Sequence, residues 1–173
     1  MNITEDEGSW LLEQVKVPNL SLKPVLLYQA TRDGWLTADF HRKVDGLNNT
    51  YAFFKYKETQ RRAAGFTSLA YTSSYKTEKD NFSFVLSIDK RIVAKAAAYD
   101  NYVDFYELLG PYFHDQDTNT ILCALWDPLY ERGTAYCGFP KYYMPFEDNE
   151  KCSLSGLQNG SHELDELEVW QIL

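Results

Sequence analysis

Hydrophobic positions recur at helical spacing in one stretch of the chain and at strand spacing in most others. From Val25 to Asn49 the order reads strand, tight turn, helix and cap. Val25, Leu26, Leu27 and Tyr28 follow Pro24 as a short apolar run that predicts a buried strand. Asp33-Gly34 is a turn dipeptide, because glycine takes the positive φ such turns need. Thr37 can cap a helix whose first turn carries Asp39 near the positive end of the helix dipole. Leu36, Phe40, Val44 and Leu47 then recur three and four apart, one apolar stripe on one face. Gly46 is the expected left-handed stop. The phase buries Phe40 and Val44 and exposes Arg42 and Lys43.

The remaining segments read mostly as strands. Ser9 can cap a short helix through Trp10, Leu11, Leu12 and Val15, ending before Pro18. Tyr51 to Tyr56 is an aromatic strand, Lys57 to Arg62 a solvated turn, and Ala63 to Tyr71 the returning strand. The small residues at 63 to 65 let another backbone approach. Thr72 to Lys79 reads as a polar loop. Asn81 to Asp89 alternates, with Phe82, Phe84, Leu86 and Ile88 on one side and Ser83, Val85 and Ser87 on the other. Arg91 to Ala96 is its paired strand. Tyr102 to Leu109 fits either strand or helix, and Gly110-Pro111 ends it. Thr120 to Trp126 is the most apolar strand, and Thr134 to Phe139 follows as another. Pro140 to Glu163 loses periodicity and predicts a long irregular loop, before a final short strand of Leu167, Val169 and Trp170. About eight or nine strands with two or three helices predict an α+β, β-rich domain: two antiparallel sheets packed as a β-sandwich with flanking helices.

Composition narrows the class. A chain of 173 residues with 45% hydrophobic and 16% aromatic content is one packed domain, residues 1–173, with the acidic residues 1–8 expected to be flexible. A net charge of -8 disfavours nucleic acid and anionic membranes. It suits basic protein partners, although acidic surfaces are ordinary among soluble proteins. No apolar run spans a bilayer, so no membrane insertion is expected. Met1 to Glu7 is acidic where a signal peptide needs basic residues. Three cysteines, Cys123, Cys137 and Cys152, predict no disulfide framework and a reducing, cytoplasmic location.

Candidate chemistry is sparse. His41, His114 and His162 have no partner at metal spacing. His41 is expected at the core edge, and Asp115 can orient His114. Cys123 reads as inert core and Cys137 and Cys152 as more accessible thiols, none with a neighbour that would activate it. Glu166 and Glu168 alternate with Leu167 and Val169, which predicts the wet face of an edge strand. No phosphate-cradling loop or nucleophile elbow is present. The expectation is a non-enzymatic protein without cofactor or metal. Its candidate partner-binding residues are Tyr142, Tyr143 and Phe146, an aromatic patch on the late loop that reads equally as a docking surface or as a lid folded back over the sheet edge.

The ordered set Leu26-Leu27-Tyr28, Arg32-Asp33-Gly34, Phe40-His41 and Asp45 resembles the opening of a TLDc domain, the family of the oxidation-resistance proteins. Gly65-Phe66-Thr67-Ser68 and Asp80 to Ser87 are similar to its next two blocks. Leu125, Leu129-Tyr130, Gly133, Cys137 and Phe139, then Glu168-Val169-Trp170, are similar to its later ones. The likeness runs from about Trp10 to Trp170. Ala64 stands where the family has a glycine, Asp117 to Thr120 replaces a glycine run, and Gly138 stands in place of a glutamate. The resemblance implies a two-sheet sandwich and a protein that binds other proteins, as a V-type ATPase-associated or oxidative-stress-related regulator, with no established catalytic mechanism. The alternative expectation is a structural subunit of a large ciliary or cytoskeletal, microtubule-associated assembly.

Overall fold

The computed structural model describes residues 1–94, 101–115, 120–125, 133–138 and 151–173. Among these, three helices and eleven strands follow in the order α1 Glu5–Gln14, β1 Pro24–Gln29, α2 Ala30–Asp33, α3 Thr37–Val44, β2 Thr50–Tyr56, β3 Arg62–Thr67, β4 Lys76–Lys79, β5 Phe84–Ser87, β6 Ile92–Ala94, β7 Asn101–Phe105, β8 Tyr112–Asp115, β9 Thr120–Ala124, β10 Thr134–Cys137 and β11 Gly160–Ile172. All pairings are antiparallel, in the order β4-β7-β8-β9-β10-β11-β2-β3-β5-β6, with β1 also on β11.

The β-rich antiparallel expectation holds, but the two-sheet sandwich is replaced by one sheet curled on itself. The reason is β11. Gly160–Glu163 pairs with β10, while Leu164–Gln171 pairs with β2 on the other side. One strand therefore belongs to both halves. Across the interior, a Cβ on Gly65 of β3 would lie 2.3 Å from the Phe113 ring of β8. The small residue at 65 thus admits an aromatic ring from the opposite half, where the sequence predicted an approaching backbone.

The strand alternation sorts the core into two layers. Ala52, Phe54, Tyr56, Ala63, Val85, Leu167 and Val169 join Val103, Phe113 and Leu122 between the halves. Tyr51, Phe53, Ala64, Phe66, Phe84, Leu86 and Ile88 point the other way and are covered by Leu11 of α1 and by Val15, which follows it. With both faces buried, β2 reads as a continuous apolar run. Phe82, placed in the alternating strand by pattern, is exposed before β5 begins.

The first helix takes in most of the acidic N-terminal residues. α1 starts at Glu5, not after Ser9, because Thr4 and Glu7 close a capping box. Arg62 then clamps Glu7 at 2.6 Å and Asp89 at 2.6 Å, and its guanidinium holds the Glu7 carboxyl down at about 2. Two segments read as loop or ambiguous are strands: β4, a charged exposed edge, and β7, from the stretch that fitted either element.

In the central stretch, Phe40 and Val44 are fully buried while Arg42 and Lys43 are exposed. The Phe40 ring meets Tyr28 at 5.7 Å and Tyr71 at 5.1 Å, both edge-on. The stripe is narrower than predicted: Leu36 is exposed, as are Val25 and the start of β1, an edge strand. Leu36, not Thr37, takes the N-cap position, and the Asp39 carboxylate accepts its N–H at 3.3 Å. Gly46 follows the helix at φ +81°, as expected of a left-handed stop.

Asp80 explains why two separated motifs occur together. It is buried and accepts from Thr67 Oγ1 at 2.7 Å, Ser68 N at 2.6 Å, Ser68 Oγ at 2.7 Å and Phe82 N at 2.9 Å. The carboxylate thereby fixes the exit of β3 beside the entry to β5.

Two outcomes follow for chemical denaturation. Phe40→Ala is expected to cost about 3–5 kcal/mol, and a loss under about 0.5 kcal/mol would place the ring on the surface. Gly65→Ala is expected to cost about 1–3 kcal/mol, because the neighbour that must yield is a packed ring; an unchanged midpoint would mean that Phe113 has room to move.

Candidate functional site

Tyr142, Tyr143 and Phe146 lie outside the described residues, so attention falls on the two ends from which their segment departs. One is Cys137, the last residue of β10. The other is the turn 151–157. Of the stretch 140–163 expected to be an irregular loop, residues 151–159 form turns, and β11 begins at Gly160. Cys152 N–H donates to the Leu157 carbonyl and Gly156 N–H to the Cys152 carbonyl, both at 2.7 Å. Leu154, Ser155 and Leu157 are buried, and Thr59 Oγ1 holds the Ser155 carbonyl at 2.6 Å. Gly156 needs its glycine, at φ +72° with the Arg61 guanidinium 2.8 Å from where a Cβ would stand.

Cys137 and Cys152 form a disulfide with their Cα atoms 6.4 Å apart, and both are buried. This overturns the expectation of two accessible thiols and no disulfide. Three cysteines spread over a chain carry no signal of which two will meet, since that depends on β10 and the 151–157 turn coming together. The cross-link closes the loop between them covalently. Cys123 remains free within β9, and burial pushes its thiol up to about 12, which suits inert core.

Beside these ends runs the edge of β11 between β10 and β1. Leu164 N–H still reaches the Gly133 carbonyl at 2.6 Å, but Asp165 to Leu167 pair with no described strand on that side, and Glu166 fills the gap. Its carboxylate accepts from Thr31 N at 3.2 Å, Thr31 Oγ1, Gln29 Nε2 at 2.9 Å and Leu167 N at 3.1 Å. The short helix α2 is thus tied to the sheet by a side chain where the backbone ladder is interrupted. A bulge between Leu164 and Glu166 marks the same place in the pairing with β2. Two residues on, Glu168 accepts from the amino group of Met1 and from Trp170 Nε1 at 2.8 Å. Both glutamates are more than nine-tenths buried, so the predicted wet edge is instead the interior of the central strand. Asp165 between them faces Lys55 at 3.2 Å and Gln60 at 2.6 Å, which hold its carboxyl below the usual range.

The histidines are also engaged. His41 is buried, not at the core rim, with Nδ1 at 2.7 Å from Asp45 Oδ1 and Nε2 at 2.9 Å and 3.1 Å from the Leu109 and Tyr106 carbonyls. His114 meets the main chain of Asp115 at 2.7 Å, whereas the carboxylate facing it comes from Asp104 across the ladder, at 3.2 Å. His162 is partly exposed and faces the Gln158 carbonyl. Among the described residues, no three His, Cys, Asp or Glu side chains are grouped to hold a metal. Nor is any described helix long and apolar enough to cross a membrane.

Compared with known families, residues 3–173 match the model of the TLDc domain. No curated protein matches the chain.

The gap at β11 can be tested directly. Glu166→Ala leaves the Thr31 and Gln29 donors without their acceptor and is expected to cost about 3 kcal/mol or more in chemical denaturation. A loss under about 0.5 kcal/mol would mean that the carboxylate does not join α2 to the sheet.

Proposed function

The chain belongs to the TLDc domain family, and from that premise we propose that it works by binding a protein partner without turning over a substrate. The partner named by the family resemblance is a V-type proton ATPase, and the role that of a regulator, including under oxidative stress. One observation carries the reading: among the described residues, the buried carboxylates and imidazoles named next are taken up by the fold. Asp80 and Glu166 hold four donors each, Glu168 joins two parts of the chain, and His41 and His114 face acceptors at both ring nitrogens. Between the halves, a cavity of about 10 Å³ lined by Val85, Phe113 and Ile121 has room for about one water. What stays available for recognition is the surface, including an open cleft of about 470 Å³ beside Lys55, Arg62 and Asp165, and Tyr142, Tyr143 and Phe146, which lie outside the described residues, are the candidates to meet a partner.

The second reading is a fixed structural subunit of a ciliary or cytoskeletal assembly. Gly138 favours it, because this position carries no carboxylate where the family motif has a glutamate. A static component needs no such group.

Binding of the purified chain to V-type ATPase subunits, run beside co-sedimentation with microtubules, separates the two. Tyr143→Ala with Phe146→Ala is expected to weaken ATPase binding by about tenfold or more at an unchanged melting temperature. Co-sedimentation without ATPase binding selects the structural reading. A lowered melting temperature with binding intact places the two aromatics in packing and the docking surface elsewhere.

A further inference from the structure

His41 and His114 stand on different elements yet grip the same stretch, Asn101–Asp115. From α3, His41 Nε2 faces the carbonyls of Tyr106 and Leu109 in the turn between β7 and β8, while its Nδ1 faces Asp45. Within the hairpin, His114 on β8 faces Asp104 on β7 through Nε2 and the Asp115 carbonyl through Nδ1. Every one of these partners is an acceptor. A neutral imidazole has one N–H and one lone pair, so only the doubly protonated ring donates on both sides. In the neutral ring, a lone pair faces a carbonyl or carboxylate in a buried setting, where an unmade bond is costly.

We propose that His114 is a proton-operated latch that fastens β8 to β7 through Asp104 and, through the same carboxylate, steadies the edge strand β4. The surroundings suit this. Facing His41 are Asp45, whose second oxygen takes Ser73 Oγ at 2.8 Å, the two turn carbonyls and the Phe40 ring at 5.0 Å. In that turn Glu107 is bonded to Tyr75 of the approach to β4. Facing His114 are Asp104, which also takes Thr77 Oγ1 of β4, and the stacked ring of Tyr102 at 5.6 Å. Tyr112 lies edge-on at 5.9 Å on its own strand. Cys123 on β9 is buried as a neutral thiol. Thr77, Asp104 and His114 thus form one chain of contacts across β4, β7 and β8.

Burial opposes a charge on His114, but the bond to Asp104 and the charge of that carboxylate, with the Asp115 carbonyl and the Asp115 charge, outweigh it and raise its pKa above the ordinary imidazole value. A raised folded value fixes the sign: the stabilisation is fully present below the unfolded imidazole pKa, near 6.5, and is lost as pH rises through the folded one. Low pH therefore closes the latch and high pH opens it.

Two measurements on the full chain test this. The melting temperature is expected to fall as pH rises from the unfolded imidazole pKa, near 6.5, through the raised folded one. His114→Gln should flatten that fall. Should that variant fail to fold, nuclear magnetic resonance of the wild-type chain decides. The His114 ring is expected to titrate above the ordinary value, with the amides of 101–115 shifting along the same curve. Titration of His114 at or below the ordinary value overturns the latch, as do amides of 101–115 that stay unmoved, or a slope retained in His114→Gln.

Discussion

Backbone pairing along β11 is the constraint on which both halves of the sheet depend. This strand, Gly160–Ile172, bonds to β10 with its first residues and to β2 and β1 with the rest. A strand that changes partners along its length leaves a stretch of edge unpaired, and buried backbone without a partner is costly. The answer to that cost is local. Glu166 sits at the gap and takes donors from Gln29 and Thr31, so that α2 substitutes for the missing strand. The charges inside β11 are therefore part of how the sheet is closed.

Curling one sheet on itself makes demands that two separate sheets would not. The two halves must approach closely, and Gly65 provides the space that Phe113 fills. The face of β2, β3 and β5 turned away from this interior also needs a cover, which α1 supplies through Leu11, together with Val15 just after it. That cover is held in place electrostatically: Arg62 sits between Glu7 of α1 and Asp89 after β5. An ion pair that is mostly shielded from water is less screened than one on the surface, so this clamp can fix where the helix lies.

The same use of charge recurs through the fold. Asp80 ties the exit of β3 to the start of β5, and His114 ties β8 to β7 through Asp104. Asp80 bridges its two segments just past the end of their backbone ladder, whereas His114 reinforces a pairing that the backbones already make. A TLDc domain built in this way uses these buried charges for architecture. It also makes part of that architecture responsive to protons, because imidazole is the one such group whose charge changes near neutral pH.

Local pattern determined much of this protein. The phase of α3, with Phe40 and Val44 inward, follows from helical spacing, and the Gly46 stop from the backbone freedom of glycine. The alternation of Phe84, Val85, Leu86 and Ser87 placed each side chain in its layer. The ordered motifs around Arg32-Asp33-Gly34 and Thr67-Ser68 were enough to indicate the family. Of the candidate site, the sequence marked an aromatic segment, but not the disulfide at its ends. Tertiary structure alone decided that Cys137 meets Cys152, that Glu166 and Glu168 are interior, that the charged run Lys76–Lys79 is a strand, and that one sheet replaces two. The physical reason is common to all four. Spacing along a chain reports which face a residue takes, whereas pairing between distant segments depends on contacts that no local window contains. A glutamate alternating with leucine looks like a wet edge until another strand, or a helix end, comes to lie beside it.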